Sequence, residues 1–145
     1  MMPALLKLLA KDAEDIQVIS AVLQDSIVPI CDMIYRPESK DFVFVAQRLC
    51  RETGDGQKFE RICCAATIQG VTGAQIKGID LNDAIRMLDL LMMDIEGNNL
   101  ILTFAADARV KLNLAADWQI VVEDFGESWP SACNPCHDGL ADIKL

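Results

Sequence analysis

Residues 109–126 read R-V-K-L-N-L-A-A-D-W-Q-I-V-V-E-D-F-G, and their division between strand and helix decides the fold. The first six alternate strictly: Val110, Leu112 and Leu114 share one face and Arg109, Lys111 and Asn113 the other, the period of a half-buried strand. Beyond Ala115 a second template fits. Trp118, Val121, Val122 and Phe125 fall at i, i+3, i+4 and i+7, and Gly126 suits a helix stop, so the pattern predicts a C-terminal helix with one apolar stripe.

Working upstream, the strand half has many companions. I-V-P-I-C-D-M-I-Y from Ile27, D-F-V-F-V-A-Q-R-L-C from Asp41 and F-E-R-I-C-C-A-A-T-I-Q from Phe59 are separated by the turn clusters R-P-E-S-K and T-G-D-G-Q. These are expected as antiparallel strands. A short strand A-Q-I-K-G-I-D is expected after a V-T-G turn. The run from Leu81 to Ile95 admits a helix, but Glu96-Gly97-Asn98-Asn99 is a hairpin connection and needs a strand on each side, so a strand ending at Ile95 is expected. Further back, Asp12 is a candidate N-cap, and Ile16, Ile19, Leu23 and Ile27 with Val18 and Val22 form the apolar side of an amphipathic helix.

The expected fold is therefore α+β: an N-terminal helix, an antiparallel β-meander of about seven strands, and a C-terminal packing helix. Such a meander must curl to bury one face. A pleckstrin-homology-like barrel is the nearest analogue, and a strongly bent open sheet with both helices on one face is the rival. Residues 1–130 are expected as a single domain and 131–145 as a tail.

At 145 residues, 52% of them hydrophobic and with a mean hydropathy of +0.23, the chain needs neither metal nor disulfide to build a core. The start M-M-P-A-L-L-K-L-L-A-K-D lacks a cleavage-site pattern, and no run of about 18 apolar residues occurs. A cytoplasmic location is expected, away from membranes. In that reducing setting Cys31, Cys50, Cys63 and Cys64 are expected as buried thiols, with adjacent Cys63 and Cys64 pointing to opposite faces of a strand. A net charge of −9 argues against nucleic acid as a partner.

Near the end, Cys133, Cys136 and His137 spell Cys-x-x-Cys-His. Attachment of c-type haem would need export and usually a second axial ligand, and His137 is the only histidine. Zinc would need a fourth ligand, and adjacent Cys136 and His137 are poorly disposed toward one ion. A redox dithiol normally opens a helix, whereas here Pro135 lies between the thiols. No cofactor is expected. Nor does a catalytic constellation appear: there is no Gly-x-Ser-x-Gly elbow, no phosphate-binding Gly loop, and no base placed beside a nucleophile.

The most informative charge feature is a hairpin in which Arg48, Arg51, Lys58 and Arg61 flank T-G-D-G-Q. It is either an anion-binding mouth or the charged blunting of an exposed edge. Asp25 and Asp80 could join Arg48 and Arg61 in an ion network, and His137 is a further candidate if the tail folds back.

Several strings together resemble a known family: K-L-L-A-K-D-A-E-D at the start, Leu23-Gln24-Asp25, Gln47-Arg48-Leu49, Phe59-Glu60-Arg61-Ile62, Lys77-Gly78-Ile79-Asp80, and Pro135-x-His137-Asp138 after Trp129. They are similar to domain-of-unknown-function family 2948, small uncharacterised bacterial proteins, over nearly the whole chain. Gln47, Leu49 and Cys136 depart from the family pattern. The resemblance implies a fold and a compartment, not a reaction. The functional expectation is thus a non-enzymatic binding or adaptor module with the hairpin as its contact surface, for an unknown protein or small anionic ligand. The alternative is a metal- or thiol-dependent protein acting through Cys133, Cys136 and His137. Self-association through strand edges is a further expectation.

Overall fold

The computed structural model describes residues 5–50, 60–83 and 85–125. Among these residues eight strands and one α-helix follow in order: β1 (Lys7–Ala10), α1 (Ala13–Leu23), β2 (Ser26–Pro29), a 3₁₀ turn (Ile30–Asp32), β3 (Met33–Arg36), β4 (Asp41–Cys50), β5 (Glu60–Lys77), β6 (Met87–Glu96), β7 (Asn99–Phe104) and β8 (Arg109–Asp124). All pairings are antiparallel. Six strands close into a barrel in the order β8-β5-β4-β2-β6-β7 and back to β8, while β1 pairs with β8 and β3 with β4 outside the ring. The described residues are mostly β, and the antiparallel strands close into a barrel instead of remaining an open sheet.

The expected C-terminal helix is replaced by the second half of β8. Ile120 and Val122 continue inward in the same even-numbered phase as Val110, Leu112 and Leu114, and β1 covers that half of the strand from Lys7↔Glu123 to Ala10↔Ile120. The period-two reading therefore holds in both halves of the element, on either side of an irregular stretch at Ala115–Trp118 where the register with β5 shifts, and tertiary pairing overrides the coincidental helical spacing. Likewise, the expected V-T-G turn is not a turn between strands. It is a bulged bend within β5, with register shifts between Gln69 and Val71 and between Val71 and Gly73. Gly70 there has φ +82, and a Cβ on it would lie 2.9 Å from Trp118 Cα, so only glycine lets β5 and β8 approach and bend together.

Those two long strands serve both halves of the barrel. Before the bend β5 pairs with β4 and with the β8 stretch under β1; after it, β5 pairs with the β8 stretch that also carries β7. β7 has only 6 residues and stops short of the upper half of β8. β2 likewise runs out at Ser26↔Leu90, leaving β6 without a strand neighbour on that edge from Leu91 onward among the described residues. Helix α1 fills this gap. Asp12 caps it by accepting from Asp15 N–H at 2.9 Å, Ile16, Ile19 and Leu23 enter the core, and Ser20 Oγ accepts the Met93 N–H at 2.9 Å as a strand partner would. The helix starts where the sequence places it and buries the expected Ile16, Ile19 and Leu23, whereas Val18, expected on the same side, is 56% exposed and Ile27 lies in β2. It thereby seals the barrel along an edge that no described strand covers.

Candidate functional site

One end of the barrel, beside α1, holds one of the largest fully buried side chains, that of Arg48. Arg48 sits on the inward face of β4, opposite Ile62 of β5, and Asp124 ends β8 opposite Cys64. Arg48 Nε and Nη2 donate to Asp124 Oδ1 and Oδ2 at 2.9 and 2.8 Å, with side-chain exposures of 1% and 0%. Asp124 Oδ2 also accepts the Leu6 N–H at 2.9 Å, and the Asp124 N–H donates to Leu6 C=O at 2.9 Å. This two-pronged pair ties the chain just ahead of β1 to β4 and β8 across the barrel, and its burial keeps it from meeting a partner. Cys64, next to it, has its thiol pushed up to about 12, first by desolvation and then by the Asp124 charge. It is an inert thiol.

Arg61 lies on the outward face of β5. Its Nη1 donates to Asp25 C=O and to Gln47 C=O, both at 3.0 Å, pinning the end of α1 against β4. Asp25 stands in the left-handed region at φ 67, with its N–H donating to Leu90 C=O at 2.8 Å. Arg61 thus meets the Asp25 main chain, while Arg48, one residue from Gln47, pairs with Asp124; both arginines act as struts between elements. Asp80 does not join them: it follows β5 at the opposite end, where its Oδ1 accepts the Asn82 N–H at 2.9 Å. Arg51, Lys58, Cys133, Cys136 and His137 lie outside the described residues. Cys63 and Cys64 are buried, outside any disulfide, and adjacent on β5, as expected. Cys31 departs from the expectation, being half-buried and disulfide-bonded. Among the described residues, no group of three or more His, Cys, Asp or Glu could hold a metal ion.

A second cluster lies beyond the bend, on the outer face where β5 and β8 run together. Lys77 is directly opposite Arg109, and Gln75 opposite Lys111, all four exposed. Cβ atoms of directly opposed residues are about 5 Å apart, and like charges in that relation destabilise a sheet. None of these three cations forms an ion pair among the described residues. Arg86 adds positive charge at the same end, its Nη1 donating to Gly78 C=O at 3.0 Å. The sequence reading placed Arg109 and Lys111 correctly on the outward face but missed the cluster, because Lys77 lies 32 positions before Arg109 and only the β5–β8 register unites them. The one available signal was the alternation in Q-I-K set beside that in R-V-K.

The fold and its sites thus define a small closed β-barrel with a charge pair locked inside and an unneutralised basic face outside. The chain belongs to the DUF2948 family, described as a protein of unknown function, which it matches over residues 6–137. No curated protein and no solved structure matches it.

Proposed function

We propose that this protein is a non-enzymatic binding module that holds an anionic partner on the outer β5–β8 face around Lys77, Arg109 and Lys111. The observation that carries the reading is the Lys77–Arg109 juxtaposition: two exposed cations directly opposed on paired strands, in a protein of net charge −9, with no carboxylate of the described residues against them. Such an arrangement costs stability in the free protein, and a bound anion would relieve it. The basic hairpin favoured by sequence supports binding less well, since Arg48 is sealed in its pair with Asp124 and Arg61 spends one guanidinium nitrogen on two carbonyls. A thiol nucleophile gains no support from Cys64, whose proton is held too tightly at neutral pH. Cytoplasmic placement is also our reading, made from composition; the Cys31 disulfide weighs against a fully reducing compartment.

Amide chemical shifts of the labelled protein titrated with poly-glutamate test this. Shifts centred on residues 75–77 and 109–111, suppressed by salt and abolished in Lys77→Glu/Arg109→Glu, are expected. Shifts elsewhere, or binding indifferent to that double substitution, would refute it.

A further inference from the structure

The basic face borders an open strand edge, and the two features together specify how a partner is held. Asp41↔Gln69 is the last pair between β4 and β5, so after the bend β5 has β8 on one side and no described strand on the other. From Gly73↔Asn113 to Lys77↔Arg109 the β5–β8 ladder runs through five consecutive pairs in one register. The bulges that disturb β5 lie before this stretch and leave it extended.

Exposed edges are normally blunted by proline, a bulge or an edge lysine. Gly73–Lys77 holds no proline and no bulge, and its one charge is Lys77. Edge protection could account for Lys77 but not for Arg109 and Lys111, because β8 is flanked there by β5 and β7 and presents no edge. A different purpose is needed for those two. On the opposite face, Ile76 pairs with fully buried Val110 yet is 40% exposed, and no described strand lies beyond β5 to cover it. The edge therefore has a basic rim on one face and an uncovered apolar side chain on the other.

We infer that this edge receives an extended acidic segment of a partner protein as an added antiparallel or parallel strand. This rests on the reading that the basic face holds anions. An added strand projects alternate side chains to opposite faces, so one set of residues meets Lys77, with Arg109 and Lys111 one strand further in, while the other set lies beside Ile76. The recognised chemistry is an acidic residue at every second position with apolar β-formers between. Main-chain hydrogen bonds to Gly73–Lys77 supply the docking, and the cations select the sequence.

The test uses the full chain and a synthetic peptide, Glu-Val-Glu-Val-Glu-Val-Glu, with two controls: the same peptide N-methylated at alternate amides, and inorganic pyrophosphate. The inference expects the unmodified peptide to protect amides within Gly73–Lys77 from hydrogen exchange and to bind roughly tenfold more weakly to Lys77→Glu/Arg109→Glu. It expects N-methylation in the register facing β5 to abolish binding with charge unchanged. If both controls bind as well as the peptide and Lys77→Glu/Arg109→Glu loses all three, the face is a simple anion site: the strand inference fails and the anion reading survives. If that variant changes nothing, both fail. Light scattering and exchange of the free protein give a last check, because an edge already protected in a dimer by a second copy's β5 would overturn the inference.

Discussion

Removing one member of the Arg48–Asp124 pair should be among the most damaging single changes available to this barrel. Asp124→Ala would leave a guanidinium of 1% side-chain exposure facing its lost carboxylate and would strip the Leu6 N–H of its side-chain acceptor. Breaking a buried pair from one side costs about 3–5 kcal/mol. For a domain of this size, where each kcal/mol moves Tm by roughly 2–4 °C, the fall should be about 6–20 °C. Arg48→Met should cost a similar amount. The combination Arg48→Met/Asp124→Ala removes both charges and leaves an apolar side chain at each position, so it should be less damaging than the sum of the two single changes by about 2 kcal/mol or more. Urea unfolding of the four proteins, followed by tryptophan fluorescence and far-UV circular dichroism, measures the cycle. Single variants within about 1 kcal/mol of the parent, or effects that simply add, would refute the claim that this pair locks β4, β8 and the N-terminal strand together.

Cys64 makes stability sensitive to alkali: the folded state holds its thiol proton up to about 12 against an ordinary value of 9.0, so the contribution is intact below pH 9 and is lost as pH rises toward 12. Denaturant titrations across that window should show stability falling by up to about 1.4 kcal/mol per pH unit relative to Cys64→Ala. Gly70→Ala should destabilise by about 1–3 kcal/mol, since its φ of +82 and the 2.9 Å approach to Trp118 Cα leave no room, and thermal unfolding reads this directly. Two serines should diverge in the same assay. Ser20→Ala removes the acceptor for Met93 N–H and should cost about 1 kcal/mol, whereas Ser26 Oγ is buried without a hydrogen-bond partner, so Ser26→Ala should be neutral or stabilising.

Where local chemistry and tertiary pairing agree, the fold is readable from residues alone. Asp12 and the stripe of Ile16, Ile19 and Leu23 gave the helix, and the Glu96–Asn99 connection correctly made Met87–Glu96 a strand despite its helical appearance. The sequence misled where one pattern satisfies two periods. Trp118, Val121, Val122 and Phe125 fit a helical stripe, but what decides the matter is the ladder with β5 and β1, formed by residues more than fifty positions away. β1 itself was not foreseen, because four residues carry too little periodicity until β8 supplies the partner edge. The candidate site shows the same division. Arg48 and Arg61 were singled out as charges, yet the pairing of Arg48 with Asp124 and the carbonyl contacts of Arg61 are tertiary facts, and the Lys77–Arg109 juxtaposition depends wholly on register.

That register is the hinge of the whole account, since it makes β8 one continuous strand and places Lys77 against Arg109. Cross-strand nuclear Overhauser effects in the labelled full-length protein measure it most directly. Contacts between Ile68 and Ile120 and between Lys77 and Arg109, with strand-like Cα shifts throughout 118–124, are the expected result. Helical shifts over 118–124, or a one-residue slip that sets Lys77 against Ala108 or Val110, would contradict both the barrel and the binding face derived from it.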